Sequence, residues 1–106
     1  MRAGELDRRV TLQHRELSDA DTQGERTETF VTYATVWAKK REVTERERFT
    51  AQQVQAELDA IFTIRYRNDV LATDRLICEG RTYNIRPGRE IGRREGLDLA
   101  ATAVVS

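Results

Sequence analysis

The sequence predicts a mostly β fold: a small antiparallel β-barrel or sandwich of five to six strands with one short helix. Apolar and polar side chains alternate with a two-residue period in several segments, which places the apolar set on one face of a strand. Stretches rich in Gly, Asp and Ser join those segments, as local hairpins require. At 106 residues the chain fits a single domain, 1–106, able to bury roughly 60–65% of its unfolded surface. Short strands in so few residues are most economically closed on themselves, which limits exposed edges.

Taken in order, Val10 and Leu12 alternate with Thr11 and Gln13, so Arg8 to His14 forms a strand. Ser18 to Glu25 is a loop, because Ser and Asp bond to nearby backbone and Gly24 can take a positive φ. Glu28 to Lys39 is rich in Thr, Val and aromatic residues and forms a long, bent strand. Its two alternating sets, Phe30, Ala34, Val36 and Val31, Tyr33, Trp37, are both apolar, as a curved or closed sheet allows. Thr44-Glu45-Arg46-Glu47 matches a capping box and starts a helix over Glu45 to Gln55. Only Phe49, Ala51 and Val54 are apolar there, so this helix lies outside the sheet or against a neighbour.

Glu57 to Arg67 is the next strand, with Leu58, Phe62, Ile64 and Tyr66 on one face and Thr63 and Arg65 on the other. After a turn at Asn68-Asp69, Arg75 to Cys78 and Arg81 to Arg86 form a hairpin about Glu79-Gly80. Leu76, Cys78, Tyr83 and Ile85 face inward. Pro87 to Gly96 reads as a basic, mobile loop, since Pro donates no ladder bond and Gly weakens a strand. Leu97 to Val105 closes the chain as a strand with Leu97, Leu99, Ala101, Ala103 and Val105 on one side.

Eighteen basic residues balance 18 acidic ones. No net positive field exists to neutralise phosphates, which disfavours a dedicated DNA binder. Cys78 is the sole cysteine, so an intrachain disulfide is excluded and a reducing compartment suits the chain. The N-terminus lacks the apolar stretch of a signal peptide, and no apolar run approaches the ~20 residues of a membrane span. A soluble protein with no membrane association is expected.

Chemistry is scarce. His14 is the only histidine, Cys78 falls on the apolar parity of its strand, and one of each is too few for common metal sites. No phosphate-cradling glycine motif or nucleophile elbow is present. We therefore expect no enzyme, no catalytic residue, no metal and no cofactor. Arg86, Arg89, Arg93 and Arg94 form the one basic cluster, but Glu90 and Glu95 interleave it, which favours a solvated loop over a binding patch. Trp37, Tyr33 and Tyr66 are expected in the barrel core or rim, although a small barrel stacking single-stranded nucleic acid on them remains an alternative.

Five strings in order and spacing, Arg9 to Gln13, Thr35 to Ala38, Phe49 to Glu57, Thr63 to Arg67 and Gly80 to Ile85, resemble the phage head–tail joining, or head closure, family. The resemblance runs from about Arg8 to Ile85. Leu97-Asp98-Leu99 looks familiar too, while Ala100 to Ser106 is small and apolar where the family's usual ending is charged. The resemblance implies a small β-barrel carrying a helix or long loop, assembled as a homo-oligomeric ring in the neck of a tailed phage or phage-like particle. Such a ring sits beneath the portal and adaptor, closes the channel after DNA packaging, and docks the tail terminator or tail tube. It would assemble in the host cytoplasm, and packaged DNA would pass through it without sequence-specific binding. A tail terminator or other tail-side ring protein is the neighbouring alternative.

Within that reading, the segment from Arg41 to Gln55 is expected to face neighbouring subunits or the channel, with Arg41, Arg46, Arg48, Phe49, Gln52, Gln53 and Val54 as candidate contacts. Arg89, Arg93 and Arg94 are candidate contacts to an adjacent ring.

Overall fold

The computed structural model describes residues 3–54 and 57–104, in which six antiparallel strands close a barrel. The strands are β1 (Arg8–Leu17), β2 (Glu28–Arg41), β3 (Ala60–Arg65), β4 (Arg75–Cys78), β5 (Arg81–Ile91) and β6 (Gly96–Ala103). A 3-10 turn, Ala3–Glu5, precedes them, and helix α1 (Glu45–Gln53) lies between β2 and β3. Around the barrel the order is β1-β2-β3-β6-β5-β4, with β4 pairing back onto β1.

The interior is filled by the inward parity of each strand: Val10 and Leu12, Phe62 and Ile64, Leu76 and Cys78, Tyr83 and Ile85, Leu97 and Leu99. Phe62 meets Tyr83 edge to face, with centroids 5.2 Å apart. Each of the aliphatic side chains, and Phe62, stabilises the fold by about 1.5–3 kcal/mol when fully buried. Burial also pushes the Cys78 thiol above its ordinary value, which keeps it protonated among apolar neighbours.

Two β-bulges explain where alternation misleads. Leu12 pairs with Ala34 but Gln13 pairs with Thr32, so Tyr33 is an extra residue in β2. Parity changes there: Ala34, Val36 and Ala38 face the core on one side of the bulge, and Tyr33 is turned inward at it. The bulge thus brings Tyr33 of the second set inward, while Val31 of that set is exposed. Trp37 is not in the core; it is 49% exposed on the outer surface, with the Arg9 guanidinium 5.0 Å from its ring centroid.

The second bulge corrects the expected Pro87–Gly96 loop. Strand β5 runs through Pro87 to Ile91, and Gly88 and Arg89 together oppose Asp98 between the Pro87–Leu99 and Glu90–Leu97 pairs. A missing N–H is tolerated at a bulge, and Gly88 permits close approach: a Cβ there would lie 3.1 Å from the Asp98 carbonyl oxygen. Only residues 92–95 remain as a turn, with Gly92 at φ +60°.

Strand β3 is shorter than the expected Glu57–Arg67. Leu58 leaves the inward set and joins Ala51 and Ile61 in a second cluster beneath α1, flanked by Val43 and Ala100. Helix α1 ends at Gln53, with Val54 as its C-cap. Gln55, Val105 and the chain termini lie outside the described residues.

Strand β1 pairs with β4 only over Val10–Gln13, and β2 pairs with β3 only over Ala38–Arg41. The β1–β2 pair nevertheless continues to Leu17 and Glu28. It leaves the barrel as a free two-stranded arm, and the molecule measures 51 × 31 × 27 Å. The tip is closed by reciprocal bonds between Ser18 and Thr27, and by Asp21, whose carboxylate accepts from the Gln23 and Glu25 amides. At the arm's base the buried Asp74 carboxylate accepts from the Tyr33 hydroxyl (2.8 Å) and the Leu71 amide (3.0 Å) and lies 2.8 Å from His14 Nδ1. The His14 and Tyr33 rings stack 3.6 Å apart. His14 is therefore engaged with Asp74, while Cys78 pairs with Val10 further along β1.

Candidate functional site

A row of polar side chains crosses the outer wall of the barrel beneath α1. Register aligns Lys39 with Thr63, Thr63 with Asp98, and Asp98 with the β5 bulge. Phe62, Ile64, Leu97 and Leu99 occupy the inward parity, so Thr63 and Asp98 point outward. Both are nonetheless buried, because Asp98 is covered: Thr63 Oγ1 donates to its Oδ1 (2.7 Å), and Arg41 and Arg89 each approach its Oδ2 at 3.7 Å.

The same Arg41 reaches α1. Its guanidinium forks onto both Glu47 carboxylate oxygens at 2.8 and 2.7 Å, a bidentate geometry in which two charge-assisted bonds act together. Glu47 is also the third residue of the capping box: its Oε1 accepts from the Thr44 amide (3.0 Å), and Thr44 Oγ1 accepts from the Glu47 amide (3.2 Å). Arg41, then the Thr44 amide, hold the Glu47 carboxyl down at about 2. The Glu47 partner in turn raises Arg41. One bidentate ion pair therefore ties the start of α1 to the barrel wall, while Ala51 is the one buried residue of the helix.

Between α1 and the wall lies a groove of about 480 Å³. Its floor is apolar, with Ala51, Leu58, Ile61 and Ala100, and its walls carry Arg41, Arg46, Arg86 and Arg89 against Glu47 and Asp98. Val54, 69% exposed, sits at its edge. An apolar floor with an excess of guanidinium groups can take a segment that is amphipathic and acidic.

The two sets of candidate contacts converge here, since Arg41 belongs to one and Arg89 to the other, and both bind Asp98. Arg46 and Val54 line the groove. Arg48, Phe49, Gln52 and Gln53 are exposed on α1, Phe49 by 61%. Arg93 and Arg94 lie apart in the β5–β6 turn, where the Arg94 amide donates to Glu90 and its guanidinium sits 5.9 Å from the Tyr66 centroid. Sequence reasoning gave Thr63 and Asp98 no role at a site and placed Arg86 only in the basic cluster read as a solvated loop. The legible signal was Asp98 itself, a carboxylate flanked by Leu97 and Leu99 in an apolar strand.

The model of the family described as phage head completion protein matches residues 1–104. The chain belongs to the phage head completion protein family. The match takes in all six strands, α1, the groove and the free arm. It also extends past Ile85 through the bulged β5 and through β6. Membership makes this a structural component of phage virions that acts with other head and tail proteins. The chain is also similar to the solution structure of protein SF1141 from Shigella flexneri 2a, at 30% identity and a TM-score of 0.73, covering 95% of this chain and 96% of that one. No curated protein sequence matches the chain. Among the described residues, no helix is long and apolar enough to cross a membrane.

Proposed function

We propose that this head completion protein works as one domain, residues 1–106, repeated in a homo-oligomeric ring in the phage neck. The ring closes the portal channel after DNA packaging and docks the tail, on the portal or adaptor at one face and the tail terminator or tail tube at the other. Its contribution is structural, with no catalytic step.

The observation that carries this reading, beyond the family match, is helix α1. It is firmly capped and ion-paired at its start, yet Phe49 and Val54 face outward. Exposed large apolar side chains beside a polar-walled groove mark a contact surface. A cyclic ring repeats one such contact at every subunit and accumulates modest energies around its circumference. Arg46, Arg48, Gln52 and Gln53 complete this subunit or channel face, and Arg93 and Arg94 at the β5–β6 turn serve the adjacent ring. The zero net charge of the chain lets DNA pass without tight phosphate binding.

The test is particle assembly with Phe49→Ala plus Val54→Ala. Neither side chain supports the barrel core, so the variant folds, and DNA-filled heads are expected to lack attached tails in electron micrographs. Normal yields of tailed, infectious particles would refute the role of this face.

A further inference from the structure

We propose that the β1–β2 arm of one copy docks into the arginine-walled groove beneath α1 of the next copy, making the subunit contact head to tail. The inference rests on the ring reading and specifies its interface. The first observation is charge. From His14 to Thr29 the arm carries five carboxylates against two arginines, whereas the groove walls carry four arginines against two carboxylates. The chain is neutral as a whole, so its charge is separated between two surfaces of opposite sign. The second is partnering. Glu16, Asp19 and Glu25 on the arm, and Arg46 and Arg86 in the groove, have no ion-pair partner among the described residues.

Position supplies the third observation. The arm leaves from the first residues of β2, and Arg41 at the groove is its last. Strand β2 is fourteen residues long, so the two lie up to about 43 Å apart along it at about 3.3 Å per step. The arm therefore points away from its own groove. Complementary surfaces at opposite ends of one subunit form a heterologous contact, which closes into a ring when the rotation is right. Apolar matching adds to this: Leu17 and Val31 are exposed on the arm, and the groove floor and Val54 are apolar. The arm also brings unpaired strand edges, which are available for added backbone bonding.

A charge swap on the full chain tests this. One variant reverses the arm (Asp19→Arg, Glu25→Arg) and another reverses the groove (Arg46→Glu, Arg86→Glu); all four side chains lie outside the core. Oligomers are followed by native mass spectrometry at low ionic strength, with disulfide trapping of Ala20→Cys plus Val54→Cys to capture weak contacts. Wild-type chains are expected to assemble, and the double-cysteine chain to give a ladder of multimers. Each reversed variant alone should lose assembly by tenfold or more. An equal mixture of the two should regain it, because a basic arm then meets an acidic groove and the reverse. If both reversed variants assemble like wild type, the arm–groove contact is wrong while the ring stands. Failure of wild-type chains to assemble, together with failure of the double-cysteine chain to trap, contradicts the ring and this contact together.

Discussion

Asp74 shows how one residue can hold two parts of the molecule in register. It is 1% exposed, its carboxylate binds the Tyr33 hydroxyl and the Leu71 amide, and its backbone carbonyl accepts from the Ile85 amide at 3.0 Å. A buried carboxylate persists only where its lone pairs are satisfied. Among the described residues no buried side-chain nitrogen or oxygen lacks a partner. Burial, then donation to Asp74, also push the Tyr33 phenol far above its ordinary value and keep it protonated. Tyr33→Phe is expected to cost about 1.5–3 kcal/mol, the contribution of a bond to a charged group. Asp74→Ala leaves several donors unsatisfied and is expected to cost more. Urea unfolding of both variants checks the order; equal stabilities would contradict the shared role.

At the scale of elements, α1 depends on electrostatics more than on packing. The Glu47 carboxyl falls from its ordinary 4.5 to about 2 on folding, so its contribution is complete above pH 4.5 and is lost as pH falls toward 2. Amide exchange across α1 is expected to be faster in Glu47→Gln than in wild type at neutral pH, with the difference shrinking as pH approaches 2. A pH-independent difference would argue against the Arg41–Glu47 link. The strands show which elements can be read from sequence alone. The β4–β5 hairpin was legible because Leu76, Cys78, Tyr83 and Ile85 keep strict parity across a Glu79-Gly80 turn, and all four are buried. The capping box was legible because its four residues are contiguous. Strand β5 beyond Arg86 was not: Pro87 and Gly88 signal either a loop or a bulge, and only the partner strand decides between them. Leu58 was misplaced for a related reason, since parity cannot tell the barrel interior from a second cluster outside it.

For the whole molecule, the barrel was visible as many short alternating strands, and the free arm was not. Its length depends on where β4 and β3 stop pairing with β1 and β2, which is a property of distant segments. The candidate site was half visible. Arg41 and Arg89 were singled out for separate surfaces, and closure of the barrel through Asp98 brings them together. The chain is neutral and elongated, with an excess of carboxylates on the arm and of arginines around the groove. Copies of this chain are proposed to form a closed ring in the phage neck. Electron cryomicroscopy of assembled particles tests it most directly. A closed ring of this barrel between portal and tail is predicted, whereas particles in which the chain is absent from the neck, or present as an isolated copy, would contradict the account.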